Sequence, residues 1–144
     1  MDSMVNGTRS KSGFSLFEVL AVMAVIAVIS AISYCNYMAW IPGIRLNGAA
    51  RQVMSDLVAA RMASVKENVG VVVTHLNNHS YSVTVGSGTA SMKDLHPNYP
   101  ETTLSFTSVL FSSRGTTSPR TLTLQNAGGV KSITVAISGR VKIN

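Results

Sequence analysis

Between Glu18 and Arg45 this 144-residue chain carries no charged side chain, and most positions from Val19 to Met38 are Val, Ile, Ala, Leu or Met. A helix rises about 1.5 Å per residue, so about 20 such residues cover the roughly 30 Å hydrocarbon core of a bilayer. The run therefore reads as a helix that spans a membrane. A buried core helix is the soluble alternative, but a chain of this length holds one domain and could hardly wrap an apolar rod on every side. A secretory signal peptide also begins with basic residues, supplied here by Arg9 and Lys11. Its apolar stretch, however, is about 7 to 15 residues long and ends at a small-x-small cleavage site. This run is longer, and the candidate cleavage point precedes it.

Charge does not orient the helix. Arg9 and Lys11 lie on one side of the run, and Arg45, Arg51 and Arg61 lie on the other, within the distance over which the positive-inside rule operates. The net charge is +6, and removal of residues 1–13, with Arg9, Lys11 and Asp2, leaves +5. Such an excess permits an anionic partner without specifying one. Cys35 is the single cysteine and sits inside the apolar run, so no intrachain disulfide forms and the remainder must hold together by packing.

The class is decided by the segment Lys11-Ser12-Gly13-Phe14-Ser15-Leu16-Phe17-Glu18, which runs directly into Val19-Leu20-Ala21-Val22-Met23-Ala24-Val25-Ile26. This junction closely resembles the cleavage and methylation signal of type IV prepilins and type II secretion pseudopilins. A small residue, an aromatic, a Glu at fixed offset and a spanning apolar run together make the signal specific. The resemblance implies that prepilin peptidase removes a leader after Gly13, that the new N-terminal Phe14 is N-methylated, and that Glu18 serves assembly. An ionisable side chain at the edge of a spanning helix costs a few kcal/mol unless it is paired or reaches the interface. Cleavage places an α-amine one helical turn from Glu18, and a helix N-terminus also favours negative charge. In the filaments of this family the Glu neutralises the amine of a neighbouring subunit. The plainer reading is that Glu18 sits among headgroups and caps its own helix.

Beyond the run, Pro42-Gly43 marks an expected bend. Leu46, Ala50, Val53 and Leu57, with Met54, Val58, Met62 and Val65 beside them, form one apolar stripe at helical spacing, which reads as a core face and leaves Arg51, Ser55 and Ala59 on the opposite side. Asn68 with Gly70 supplies a C-terminal stop. Val71–Leu76, a turn at Asn77-Asn78, and alternating Tyr81, Val83 and Val85 predict a hairpin. Further strands are predicted around Leu104–Phe106, Val109–Phe111, Leu122 and Leu124, Ile133 to Ile137, and Val141 with Ile143. Gly128-Gly129 and Ser138-Gly139-Arg140 supply turns between the last of them. The segments Ala60-Arg61-Met62-Ala63, Phe111-Ser112-Ser113-Arg114-Gly115 and Ser138-Gly139-Arg140-Val141-Lys142 resemble the pseudopilin H and FimT branch of the family. The segment from Gly86 to Glu101 matches nothing in that pattern.

The expected architecture is α+β and pilin-like. Residues 1–13 form the leader, 14–41 an apolar transmembrane and filament-core helix, 42–68 its amphipathic continuation, and 69–144 a β-rich head. No enzyme is expected, because no nucleophile, base and orienting group occur at recognisable spacing. No cofactor is expected either. Of the candidates His75, His79 and His96, the first two would face opposite ways or bracket a turn and neither has a Cys or acidic residue set out as in a zinc site, so surface or turn histidines are the reading. Asp56, Glu67, Asp94 and Glu101 are too dispersed for a calcium loop, and no glycine-rich phosphate loop occurs.

The function implied is that of a minor pilin or pseudopilin, a structural subunit at or near the tip of a type II secretion pseudopilus or a type IV pilus. Its partners are prepilin peptidase, other pilin subunits and the inner-membrane assembly platform. The chain is placed as a single-pass inner-membrane protein with a periplasmic head. Two alternatives stand beside this. One is a FimT-like DNA-binding minor pilin using Arg140 and Lys142, extended by Lys131, Arg114 and Arg120, although scattered charges are by default a solvated face. The other is a membrane-anchored exported domain that never enters a filament. Mass spectrometry of the N-terminal peptide separates these readings: a chain beginning at N-methylated Phe14 only in cells that contain prepilin peptidase is expected, whereas an intact Met1 end indicates the anchored domain.

Overall fold

The computed structural model describes residues 14–144, so the expected leader, the basic pair Arg9 and Lys11, and the expected cleavage residue Gly13 lie outside the described residues. One α-helix, α1 (Leu16–Glu67, 52 residues), is followed by eight strands: β1 (Val71–Asn77), β2 (Ser80–Val85), β3 (Ser91–Asp94), β4 (Thr103–Ser105), β5 (Val109–Phe111), β6 (Arg120–Asn126), β7 (Gly129–Val135) and β8 (Val141–Ile143). The strands form two antiparallel four-stranded sheets, ordered β3-β2-β1-β5 and β4-β6-β7-β8. The chain divides into an N-terminal unit ending at Tyr37 and a second unit, Met38–Asn144.

In the N-terminal unit the helix is apolar on every side. The apolar window of α1 is long enough to cross a membrane, and none of it is buried within the protein. In the second unit the same helix changes character. Leu46, Ala49, Ala50, Val53, Leu57 and Ala60, at steps of three and four, are buried in one core with Val71, Val73, Tyr81, Val109 and Phe111 of the first sheet and Leu104, Leu122, Leu124, Ile133 and Val135 of the second. Each fully buried large side chain contributes about 1.5–3 kcal/mol of transfer free energy. The stripe is narrower than the sequence pattern suggests. Val58, Met62 and Val65 are 36%, 68% and 52% exposed, because they lie on the helix flank that neither sheet covers.

Helix α1 runs unbroken through Pro42 and Gly43. There the turn between β6 and β7 rests on the helix backbone: a Cβ on Gly128 would come within 2.5 Å of the Gly43 nitrogen, and Asn126 Nδ2 donates to Pro42 O at 2.8 Å. The C-terminal stop is made by Asn68, whose φ of 54° is left-handed, with Val69 N–H donating to Ser64 O at 3.2 Å. This is a Schellman-type closure in which Asn does what Gly more often does.

The expected hairpin is present with Val71 opposite Val85 and His75 opposite Tyr81. Ile137 is not in a strand and is 66% exposed, since β7 gives way to a turn closed by Gly139 N–H donating to Ala136 O at 2.8 Å. Phe106 likewise lies just past β4 and packs its ring edge-on to His75. The unmatched segment from Gly86 to Glu101 holds β3, an edge strand whose sequence Ser-Met-Lys-Asp has no alternation to announce it. It then clamps the helix: Leu95 is fully buried, Tyr99 fills the space over Gly48, and Glu101 pairs with Arg45 at 3.6 Å.

One polar contact ties helix to sheet inside this core. Tyr81 Oη donates to Asp56 Oδ2 at 2.5 Å, and Lys93 Nζ of β3 lies 3.9 Å from Asp56 Oδ1. Burial, then the Asp56 hydrogen bond and its negative charge, push the Tyr81 hydroxyl well above the ordinary phenol range. The unfolded chain ionises this phenol near pH 10 and the folded one does not. The unfolded state therefore binds fewer protons above pH 10, and stability falls there by up to about 1.4 kcal/mol per pH unit. Equilibrium unfolding between pH 9 and 11 is expected to show this decline, and Tyr81→Phe is expected to flatten it while lowering stability at pH 7.

Candidate assembly terminus and head surfaces

At the start of α1, Ser15 is the N-cap. Its carbonyl accepts from Glu18 N–H at 3.0 Å and Val19 N–H at 3.2 Å, and its Oγ accepts from Phe17 N–H at 3.3 Å. Ser15 followed by Glu18 three positions on is also the spacing of a capping box. Among the described residues the Glu18 carboxylate makes no hydrogen bond or ion pair, and Phe14 is 79% exposed. The carboxylate thus sits in the first helical turn, where the helix N-terminus favours negative charge, ahead of an uncovered apolar helix.

In the second unit, the three segments singled out in the sequence meet at one corner. Arg61 Nε donates to Gly115 O at 3.1 Å, and Gly139 lies so close that a Cβ there would clash with Gly115 O and fall 2.6 Å from Arg61 Nε. Gly115 and Gly139 both have left-handed φ, 73° and 74°. The second glycine is needed twice over, for its backbone angle and for the absence of a side chain. Thr117 N–H donates to Ile137 O at 3.0 Å and braces the same corner.

The basic residues do not form one patch. Lys142, opposite Thr134, projects from one face of the second sheet, and it shares a concavity of about 390 Å³ with Arg140, Thr134, Ala136 and Asn144. Lys131 stands opposite Leu124, and Arg120 opposite Val135. Residues paired in this way share a face, and side chains alternate along each strand, so Lys131 and Arg120 belong to the other face. Arg114 adjoins Gly115 at the glycine corner. His75 is occupied within the fold, its Nε2 2.9 Å from Leu104 O across the two sheets.

The profile of the family described as Type II transport protein GspH matches residues 49–139, more than half of the chain. The chain belongs to that family. A second profile, the prokaryotic N-terminal methylation motif, matches residues 8–34, across the junction at Gly13 and Phe14. No curated protein sequence matches the chain. Among solved structures it is similar to the type IV minor pilin FimU of Pseudomonas aeruginosa (strain PAO1), with TM-score 0.57 and 18% identity over 69% of this chain and 87% of that one. It is also similar to the minor pseudopilin EpsH of the Vibrio cholerae type 2 secretion system, with TM-score 0.57 and 11% identity over 69% and 96% of the two chains. At those identities the neighbours establish the fold, a long helix packed on an antiparallel β head. The GspH-family chain is a minor pilin or pseudopilin, and its methylation motif marks it for prepilin processing. Gly139→Ala is expected to lose at least about 2 kcal/mol of stability, from backbone strain and the clash with Gly115 O, measured by chemical denaturation.

Proposed function

We propose that this GspH-family subunit is cut after Gly13, N-methylated at Phe14 and built into a short filament through its N-terminal helix, with Glu18 receiving the N-terminal amine of a neighbour. The observation that carries this reading is the coincidence of the methylation motif at residues 8–34 with a helix whose apolar window is wholly uncovered. Before assembly the helix of residues 14–41 holds the chain in the inner membrane, with the head, residues 69–144, in the periplasm. Extraction by an assembly platform then replaces lipid with the helices of other subunits. The subunit works by assembly and not by catalysis, in line with the pilin character of its family. Its place is at or near the tip of a type II secretion pseudopilus or a type IV pilus. Glu18→Ala is expected to leave cleavage intact and reduce recovery in sheared filaments severalfold; undiminished incorporation would remove the pairing role.

A second reading rests on the concavity that Arg140 and Lys142 share, which would offer two cations to the phosphates of a nucleic acid. Two phosphate contacts give a slope of log affinity against log salt of about −2. Retarded duplex mobility with that slope, lost in Arg140→Ala/Lys142→Ala and kept in Arg120→Ala/Lys131→Ala, would support DNA handling. Absence of binding at low salt would eliminate it.

A further inference from the structure

In the second unit two histidines from separate segments, His79 and His96, stand ring to ring. The tight turn between β1 and β2 contains Asn78 and His79, and it lies beside the segment that leaves β3. Leu95 N–H donates to His79 O at 2.8 Å, and Ser80 stands opposite Asp94. This backbone pairing sets the rings of His79 and His96 edge to face, with centres 5.2 Å apart and planes inclined by 86°. Asp94 Oδ1 accepts from His96 N–H at 2.8 Å and from Ser80 Oγ at 3.4 Å. Asn77, Asn78, His79, Ser80, Asp94 and His96 line an open concavity of about 470 Å³.

The ring separation is informative. An imidazole nitrogen binds zinc at about 2.0–2.1 Å, and the ring centre lies about 1.2 Å behind that nitrogen. Two imidazoles on one tetrahedral ion therefore have centres about 5.2 Å apart. His79 and His96 already stand at that spacing, and sharing an ion requires each ring only to turn a nitrogen toward it about its broad terminal torsion. Among the described residues no three His, Cys, Asp or Glu gather into a metal-ligand group, so an ion held here would take two protein donors and leave its other positions to water.

We propose that His79 and His96 form a two-imidazole site for a late first-row divalent ion, zinc, nickel or copper, with the Asp94 carboxylate adding negative charge at its rim. Imidazole nitrogen suits these ions, whereas calcium and magnesium prefer all-oxygen sets. The ion joins the β1–β2 turn to the segment that carries Leu95, Tyr99 and Glu101 onto the helix. Occupancy therefore stiffens the clamp over Gly48 and raises the unfolding temperature of the head, because an ion that binds only the folded chain stabilises it by mass action.

The test is titration of the full-length chain, free of any polyhistidine tag and held in detergent micelles, with zinc chloride and then nickel chloride, followed by calorimetry and by NMR of the imidazole nitrogens. One ion per chain is expected, with shifts confined to His79 and His96 and affinity reduced at least tenfold in His79→Ala and in His96→Ala alike. If His79→Ala disturbs the turn, His96→Ala, whose side chain is exposed, carries the test alone. Absence of saturable binding, or full affinity in either properly folded variant, overturns the two-imidazole site and leaves a simple ring contact.

Discussion

The contact between the stripe Leu46, Ala49, Ala50, Val53, Leu57 and Ala60 and the inner faces of two sheets holds the second unit together. Eight short strands, none longer than seven residues, do not make independently stable sheets unless one face is covered. The helix covers them. Alanines at positions 49, 50 and 60 let the backbone come close, and Leu46, Val53 and Leu57 fill the space between the strands. With no disulfide available, this apolar contact and the Tyr81–Asp56–Lys93 chain of polar contacts fix the helix to the head.

The same helix meets opposite demands along its length. Toward its start every face is apolar and uncovered, which suits lipid or the helices of other subunits. Farther on it is half protein core and half surface. Two loops grip it where the character changes: the β6–β7 turn lies on Pro42 and Gly43, and Tyr99 and Glu101 hold Gly48 and Arg45. Both grips depend on glycine giving up a side chain for close approach. The proline at 42 costs a backbone hydrogen bond within the helix, and its own carbonyl accepts from Asn126 Nδ2.

The head surfaces follow from strand alternation. Lys142 and Lys131 are both cations in neighbouring strands, yet they project from opposite faces because their partners Thr134 and Leu124 do. The glycine corner at Gly115 and Gly139 sits against Arg61, so three segments far apart in the chain form one structural joint. Each of the three segments supplies one part of the same contact.

The sequence alone determined the long apolar helix, the N-terminal methylation motif, the inward stripe through Leu57 and the β1–β2 hairpin. Each of these is a local periodicity or a short contiguous motif, which solvent and bilayer read without reference to the rest of the chain. Tertiary structure alone decided that Val58, Met62 and Val65 stay uncovered, that Ser91–Asp94 becomes an edge strand without apolar alternation, and that Arg140 and Lys142 share a face which Lys131 and Arg120 do not. It also brought His79 beside His96, across 17 positions of sequence, through the register of β2 and β3. These outcomes depend on which strand lies next to which, and pairing between distant segments is set by global packing, not by any property that a short window of residues contains.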